Sequence, residues 1–422
     1  MLTASATPGA TLASTCPSCG HTEATDILTV ADAPVMVATV FRDAATARQT
    51  PTGTIHLVGC LRCGLLFNRD FDLDKALAGA RYESSQASSA HFGSYTETLA
   101  KEWVERHGLH GKRVIEVGCG QGDFMFALLA AGVGMVHGID PLAQPADIPA
   151  EFADRVTVDA TDFAAPHTLE PAAALVCRHT IEHVPDVAGF LRSVAAWSRH
   201  NGGAPVLFEA PATERIVDEG AFWDIYYEHC NYFTLDSLSV AFEQAGLRVD
   251  QREVAYGAQY LLLDASCAPT TVAADAAGEP DASGSIADPF AWIGDAVRFG
   301  TRAAEAVTTA REQMIDHGAG PGGVVIWQGA AKTVGLLTSL GPDVPIRSAV
   351  DMNTRRHGFH LPPTGLGVLS PDALSADPPD HVILMNPVYA TEVRSMLDDL
   401  GCTDTVLHTI DSVCRMGGRQ AG

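Results

Sequence analysis

Basic residues and long apolar runs are scarce in this sequence of 422 residues. Lysine and arginine together number 27 against 51 aspartates and glutamates, so the formal net charge is −24. Because such a charge repels polyanions, we expect neither nucleic acid nor an anionic membrane as the main partner. No apolar run reaches the ~18 residues of a membrane-spanning helix. The first residues lack a basic segment followed by an apolar one, so we expect no secretory signal and a cytoplasmic location.

Short internal repeats and coiled-coil heptads are also missing. Hydrophobic residues make up 46% of the chain and charged residues 18%, a composition typical of globular proteins with large cores. At ~150 residues per domain, the length predicts two or three packed units. Short apolar runs alternate with helical stretches, and this alternation predicts parallel sheets with crossover helices.

We predict an α/β protein whose chain divides into four segments. Residues 1–74 form a small metal-binding module, and residues 75–267 form an α/β domain with a helical lead-in. Residues 268–289 are rich in alanine, proline, glycine, serine and aspartate and form a linker. Residues 290–422 form a second, doubly wound α/β domain.

Four of the ten cysteines fall in two Cys-x-x-Cys pairs, Cys16 with Cys19 and Cys60 with Cys63. The other six are scattered singly, which argues against a disulfide framework. Two such pairs supply the four thiolates of a tetrahedral Zn²⁺ site. A site closed by four protein ligands has no open position for substrate, so we predict a structural role. The alternative is four free thiols in loops.

A glycine-rich turn follows the apolar strand that ends at Val117. Gly118, Gly120 and Gly122 let the backbone approach a bound ligand closely. Asp140, about twenty residues further on, ends the next strand and is placed to bind ribose hydroxyls. A related loop binds nicotinamide dinucleotides, so the spacing alone leaves two cofactor classes open.

The run from Glu116 to Gly122, together with Gly138-Ile139-Asp140, resembles the class I S-adenosylmethionine-dependent methyltransferases. The resemblance implies a Rossmann-like core in which the glycines contact the methionine end of the cofactor. Acidic residues after the second and third strands contact its ribose and adenine. The implied cofactor contacts are Glu116, Gly118, Gly120, Gly122, Asp140 and Asp162.

Two histidine-containing segments follow. His179, Glu182 and His183 have helix-like spacing, but the order of a zinc-protease motif is not met, so we interpret them as structural or cleft-lining. His229 lies beside Glu228 in a cluster of polar and aromatic residues. A histidine oriented by a carboxylate can act as a general base near neutral pH. The alternative is a hydrogen-bonded histidine among packed aromatic rings.

Tyr226-x-Glu228-His229, followed by Tyr-Phe, resembles the nucleotide-sugar C-methyltransferases, which have an N-terminal zinc module and a C-terminal Rossmann-like domain. Four further segments resemble that family in the same order: Arg81–Ser85, Gly329–Lys332, Asp351–Asn353 and Asn386–Tyr389. The alternative for Asp351, Asn353 and Asn386 is a role as strand-end caps.

This resemblance implies methylation of a nucleotide-linked 4-keto deoxysugar, in cell-surface sugar or natural-product (antibiotic) biosynthesis. His229 is then the base oriented by Glu228, while Tyr82 and Tyr226 hold the sugar or stabilise the enolate oxygen. The implied partner is a small molecule, and the chain is a monomer or a homodimer. The alternatives are a C-, O- or N-methyltransferase for another small acceptor and a binding protein without catalysis.

Overall fold

A computed structural model describes residues 1–5, 7–78, 90–143, 148–163, 169–268 and 289–414. Its strands run in chain order as follows: β1 Leu2–Ala4, β2 Thr11–Ala13, β3 Glu23–Pro34, β4 Thr52–Cys60, β5 Leu66–Asn68, β6 Arg113–Val117, β7 Met135–Ile139, β8 Val156–Asp159, β9 Ala174–Arg178, β10 Val206–Pro211, β11 Asn231–Tyr232, β12 Arg248–Ala255, β13 Tyr260–Ser266, β14 Val324–Trp327, β15 Ile346–Val350, β16 His360–Leu361, β17 Leu366–Leu369, β18 His381–Leu384 and β19 Val406–Thr409.

The α-helices are α1 Ala44–Arg48, α2 Leu73–Ala78, α3 Ala90–His107, α4 Asp123–Ala130, α5 Val187–His200, α6 Thr213–Glu219, α7 Leu235–Gln244, α8 Pro289–His317, α9 Ala331–Leu340, α10 Ala390–Asp399 and α11 Ile410–Cys414. Among the described residues, none of these helices has the length and apolarity to cross a bilayer.

The N-terminal sheet has the order β1-β3-β4-β5-β11, with β2 paired to β3. The first cysteine pair precedes β3, and the second begins at the last residue of β4, so the turns at one end of the sheet carry all four thiols. Strand β11 comes from much later in the chain and pairs antiparallel with β5, Asn231 opposite Phe67. This pairing joins the N-terminal sheet to the segment that carries His229.

The middle sheet has the order β12-β13-β10-β9-β6-β7-β8. Strands β6 to β10 are parallel, whereas β13 runs antiparallel to β10. The predicted alternation of apolar strands with helices is confirmed, and the fold is a Rossmann-like α/β methyltransferase fold with a mixed sheet. The strand order reverses between β6 and β9, and ligands of open α/β sheets bind at such a point, beyond the carboxyl ends of the strands.

The C-terminal sheet has the order β16-β17-β15-β14-β18-β19, in which only β16 is antiparallel to its neighbour. The predicted helix from about 290 to 316 is α8. Its apolar face packs on the N-terminal sheet, where Phe299 and Ile27 belong to one buried cluster that also contains Leu336 of α9. The N-terminal and C-terminal sheets therefore share a core.

The predicted boundaries at residues 74 and 267 stay predictions. The division did not anticipate that β11, from the predicted second segment, completes the first sheet. Residues 269–288, which make up nearly all of the predicted linker, lie outside the described residues.

Candidate active site

The glycine turn after β6 has left-handed backbone at each predicted glycine, with φ of 75° at Gly118, 51° at Gly120 and 92° at Gly122. A Cβ on Gly118 would lie 1.8 Å from Thr180 Oγ1, so this residue must be glycine for steric reasons as well. A Cβ on Gly120 would meet nothing within 4 Å. The turn is therefore closely packed at its first glycine and open at its second.

Asp140 directly follows β7 and contacts the same glycine turn. Its Oδ2 accepts the Gly120 N–H at 2.8 Å, and its Oδ1 accepts the Leu142 N–H at 2.7 Å. Each carboxylate oxygen keeps a further lone pair for a ligand hydroxyl. Asp162 is exposed beyond the end of β8.

Glu116 lies in β6 and is almost fully buried. Its Oε2 has no hydrogen-bond partner among the described residues. Burial raises the pKa of Glu116 to about 8, although the charge of Arg178 opposes the shift. An unpaired buried acceptor is costly and invites a ligand donor.

Arg178 is the last residue of β9, Glu209 lies opposite it in the neighbouring strand β10, and the two form a buried ion pair, Nη2 to Oε1 at 2.7 Å. His179 Nε2 approaches the same Oε1 at 2.7 Å, and the Tyr95 hydroxyl donates to Oε2. Burial raises the pKa of Glu209, but Arg178, His179 and Tyr95 outweigh it, and the pKa falls to about 2. The Arg178 guanidinium also lies 4.2 Å from the ring centroid of Phe124, on the first turn of α4. These contacts hold the carboxyl edge of the sheet rigid.

His229 lies among aromatic rings. Its centroid is 4.8 Å from that of His183 and 5.0 Å from that of Tyr226, both nearly perpendicular. Burial, reinforced by the charge of His183, lowers the pKa of His229 well below its usual range, while Asp224 opposes the shift. The imidazole is therefore neutral at pH 7, in the form that accepts a proton.

The neighbours of His229 differ from the predicted arrangement. Glu228 Oε1 accepts the Val37 N–H at 3.3 Å, and among the described residues no hydrogen bond joins Glu228 to the His229 ring. The carboxylate placed with His229 is that of Glu182, whose oxygen lies within 4.8 Å of ring nitrogens of His183 and His229. That Glu228 orients His229, and that His229 is the base, stay predictions.

Tyr82 and Tyr226 were both predicted to contact the substrate, and the structure describes only Tyr226. The Tyr226 hydroxyl donates to Asp224 Oδ1 at 2.7 Å, so its single proton is already used in this conformation. Asp224 is held in turn by Lys332 Nζ at 3.3 Å, and Lys332 belongs to the C-terminal Gly329–Lys332 segment. Tyr82 lies outside the described residues.

The segment from Ile225 to Tyr232 contacts all three sheets. Tyr226 packs with Val334 of α9 on the C-terminal side. Tyr227 lies against the N-terminal sheet, where a Cβ on Gly53 would come 2.2 Å from its ring. His183 Nδ1, beyond the end of β9, contacts the carbonyl oxygen of Glu228 at 2.8 Å. The position of His229 therefore depends on the packing of the whole chain.

Residues 92–252 match a family described as Methyltransferase domain. C-methyltransferase NovU of Streptomyces niveus is 28% identical over 403 residues, which cover 90% of this chain and 90% of that protein. This chain is an S-adenosylmethionine-dependent methyltransferase. Its glycine turn and Asp140 lie where that fold binds its ligands.

Other similarities cover a smaller share of the chain. A ubiquinone biosynthesis O-methyltransferase of Actinobacillus pleuropneumoniae serotype 7 is 33% identical over 106 residues, 23% of this chain and 45% of that protein. The chain thus aligns with less than half of that relative. The magnesium protoporphyrin IX methyltransferase of Synechocystis with bound SAH is 14% identical, with a TM-score of 0.34, over 45% of this chain and 90% of that chain.

The residues present fit the cofactor. The space beside Gly120 is open, Asp140 keeps lone pairs for ribose hydroxyls, and the orphaned Glu116 Oε2 suits a donor such as an ammonium group. The assignment of each residue to one part of the cofactor stays a prediction.

We expect Gly118→Ala to lower the affinity of the methyltransferase for S-adenosylmethionine by about tenfold or more. The new methyl group meets Thr180, and left-handed backbone costs a non-glycine residue ~1–2 kcal/mol. Gly108→Ala is the matched control, because Gly108 has φ of 59° and open space around its Cβ position. Calorimetric titration with the cofactor measures both, and equal affinities would contradict the assignment.

Each of three buried carboxyl groups should contribute a loss of stability to the ligand-free methyltransferase as the pH rises from about 5 to about 8. Burial raises the pKa to about 8 for Glu116 and Glu228 and to about 7 for Glu182. An unfolded glutamate loses its proton near pH ~4.3, so within this window the folded state binds more protons and the free energy of unfolding falls with rising pH.

In Glu116→Gln, the change in the free energy of unfolding between pH 5 and pH 8 should be smaller than in wild type by at least ~1.4 kcal/mol, the value of one pKa unit. The exposed Glu102→Gln should leave it unchanged. Thermal unfolding at constant ionic strength measures the effect. The same pH dependence of the unfolding midpoint in wild type and in Glu116→Gln would refute the prediction.

The four paired cysteines lie together. Cys16 Sγ is 3.6 Å from Cys63 Sγ, and Cys19 Sγ is 3.6 Å from Cys60 Sγ. Tetrahedral Zn²⁺ with Zn–S bonds of ~2.3 Å separates its sulfur ligands by ~3.8 Å, so the geometry fits that ion.

In the C-terminal motifs, polar side chains accept hydrogen bonds from backbone N–H groups of the same motifs. Asp351 accepts the N–H groups of Gly329 and Asn353, both at 2.8 Å. Asn353 and Asn386 each accept the N–H group two residues further along the chain. The interpretation as strand-end caps is therefore confirmed, and contact of these residues with a substrate stays a prediction.

The sequence analysis missed several residues of the site. Arg178 and Glu209 each follow a strongly apolar run, and a charge at the end of a buried strand is a signal that the sequence contained. His183 was interpreted only as structural or cleft-lining, although its ring packs directly on His229. Asp224 and Lys332 are more than 100 residues apart, and no local pattern relates them.

Proposed function

We propose that this methyltransferase transfers a methyl group to a carbon of a nucleotide-linked 4-keto deoxysugar, next to the keto group. The observation that carries the proposal is the similarity to a C-methyltransferase along 90% of both chains. The neutral, buried imidazole of His229 supports it, because a carbon acceptor must lose a proton before it attacks.

In the proposed reaction, His229 takes the proton from the carbon beside the keto group, and the electron pair moves towards the keto oxygen as an enolate. Glu182, whose carboxylate lies with the His183 and His229 rings, is placed to stabilise the protonated imidazole. S-adenosylmethionine supplies the electrophilic methyl group. Glu116, Gly118, Gly120, Gly122, Asp140 and Asp162 are the residues proposed to hold it.

Donors aimed at the enolate oxygen can contribute several kcal/mol in a closed site. The Tyr226 proton is directed to Asp224, so Tyr226 could serve the enolate only after the Asp224 bond breaks. In the C-terminal segment, Lys332 of α9 contacts Asp224. We propose that the C-terminal segment completes the binding site for the nucleotide sugar. Zn²⁺ on the four cysteines supplies rigidity and takes no part in the chemistry.

Mass spectrometry tests the proposal directly. The methyltransferase is incubated with S-adenosylmethionine and a panel of nucleotide-linked 4-ketosugars, and a product heavier by one methyl group is expected. In D₂O without cofactor, the substrate should exchange the hydrogen next to its keto group, and His229→Gln should abolish that exchange. Cofactor binding without any product would move the acceptor outside this class.

The second candidate is an O-methyltransferase, favoured by the 33% identity to the ubiquinone biosynthesis enzyme over 106 residues. An oxygen acceptor requires no carbon-bound hydrogen to exchange. A methyl ether in the product, with no exchange in D₂O, would select this candidate.

A further inference from the structure

Three histidines from distant parts of the chain meet at the C-terminal sheet, near the amino-terminal ends of β18 and β19. His317 is the last residue of α8, His381 is the first residue of β18, and His408 lies in β19. His381 pairs with Val406 across the two strands, so His408, two residues further on, faces the same side of the sheet. The topology thus brings three imidazoles together without any local sequence motif.

The three rings lie in direct contact. The ring centroids are 4.2 Å apart for His317 and His381, 4.8 Å for His317 and His408, and 5.2 Å for His381 and His408. His381 Nδ1 is 3.0 Å from His408 Nε2. One nitrogen of each ring lies within 4.8 Å of the other two.

Packing alone does not account for this cluster. Among the described residues, no carboxylate forms an ion pair with any of the three rings, so no ion pair would offset the repulsion between protonated imidazoles. Neutral imidazole nitrogens are ligands for Zn²⁺ and related transition-metal ions.

The surroundings favour a cation. The carboxylates of Asp316 and Asp380 act on His381 through their negative charge. The carboxyl end of α8, where His317 lies, carries the negative end of the helix dipole. Asp380 also accepts the N–H groups of Gly322 and Gly323, at 2.8 Å and 3.2 Å, which fixes the turn before β14.

We propose that His317, His381 and His408 together bind one divalent transition-metal ion of the Zn²⁺ class, with the fourth position left to water. Tetrahedral Zn–N bonds of ~2.0–2.1 Å place their nitrogens ~3.3 Å apart, so small ring rotations complete the geometry. The ion ties the end of α8 to β18 and β19. Because α8 also packs on the N-terminal sheet, this metal links the C-terminal sheet to the rest of the molecule.

Metal content distinguishes this site from the four cysteines. Tag-free wild type and the variant H317Q/H381Q/H408Q are dialysed against Zn²⁺ with a weak chelator, and bound zinc is counted by mass spectrometry. We expect wild type to hold one equivalent more than the triple variant and to unfold at a higher temperature with Zn²⁺ than without. The control His200→Gln, an exposed histidine elsewhere, should hold as much zinc as wild type. Equal zinc in wild type and the triple variant would overturn the proposal.

A measurement on the unmutated protein covers the case in which the triple variant does not fold. Wild type loaded with two equivalents of ¹¹³Cd²⁺ should give two resonances, one in the range of four sulfur ligands and one in the range of nitrogen and oxygen ligands. The second resonance supports the proposal. A single resonance, or two in the sulfur range, overturns it.

Discussion

Replacing His229 with glutamine should lower turnover by about 10²- to 10⁴-fold, the usual contribution of a general base. Glutamine keeps much of the volume between His183 and Tyr226 but cannot take up a proton. Burial and His183 lower the pKa of the His229 ring, so the ring is neutral before the reaction begins. The glycine turn and Asp140 are separate from this loop, and cofactor affinity should stay nearly unchanged.

Steady-state turnover and calorimetric titration of the cofactor check both parts of this expectation. His200→Gln, on the exposed end of α5, is the control for loss of a histidine. Turnover of His229→Gln equal to that of wild type would exclude His229 as the base. Loss of cofactor binding together with turnover would indicate a structural role instead.

Replacing Cys60 with serine should release one zinc equivalent and remove most of the turnover. Structural zinc sites contribute ~10–16 kcal/mol of folding free energy in isolated zinc fingers. Cys60 ends β4, which pairs with β5, and β5 pairs with β11 just after His229. Loss of the ion should therefore disorder the support of the catalytic loop as well as the zinc turns.

Zinc counting, thermal unfolding and turnover measure these effects. Cys402→Ser is the matched control, because Cys402 is equally buried but lies in the C-terminal segment, outside the two cysteine pairs. It should lose no zinc and keep its turnover. If Cys60→Ser retained the full zinc content of wild type, the four cysteines would not form the metal site.

Much of the fold was predictable from local patterns. Most parallel strands of the two Rossmann-like sheets are runs of four or five residues rich in apolar side chains, and the turn after β6 needs glycine because its backbone is left-handed. The two cysteine pairs were recognisable from spacing alone, since two thiolates one turn apart can bind the same ion. Such features depend on neighbours in the sequence.

The contacts around His229 were not predictable in the same way. Glu228 was expected to orient His229, yet its carboxylate accepts the N–H of Val37, almost 200 residues earlier. Tyr226 was expected to face the substrate, yet its proton is bound by Asp224, which Lys332 of α9 holds. The contacts of Glu228 with Val37 and of Asp224 with Lys332 join segments that are adjacent only after the chain has folded.

The sequence by itself determined the strands, the glycine turn, Asp140 and the zinc-type cysteine pairs, because each depends on the conformation or spacing of consecutive residues. Tertiary structure alone decided which groups surround His229 and which strand completes the N-terminal sheet. It also decided that His317, His381 and His408 meet. The physical reason is that long-range packing and burial set these partners, and neither leaves a periodic signal in the chain.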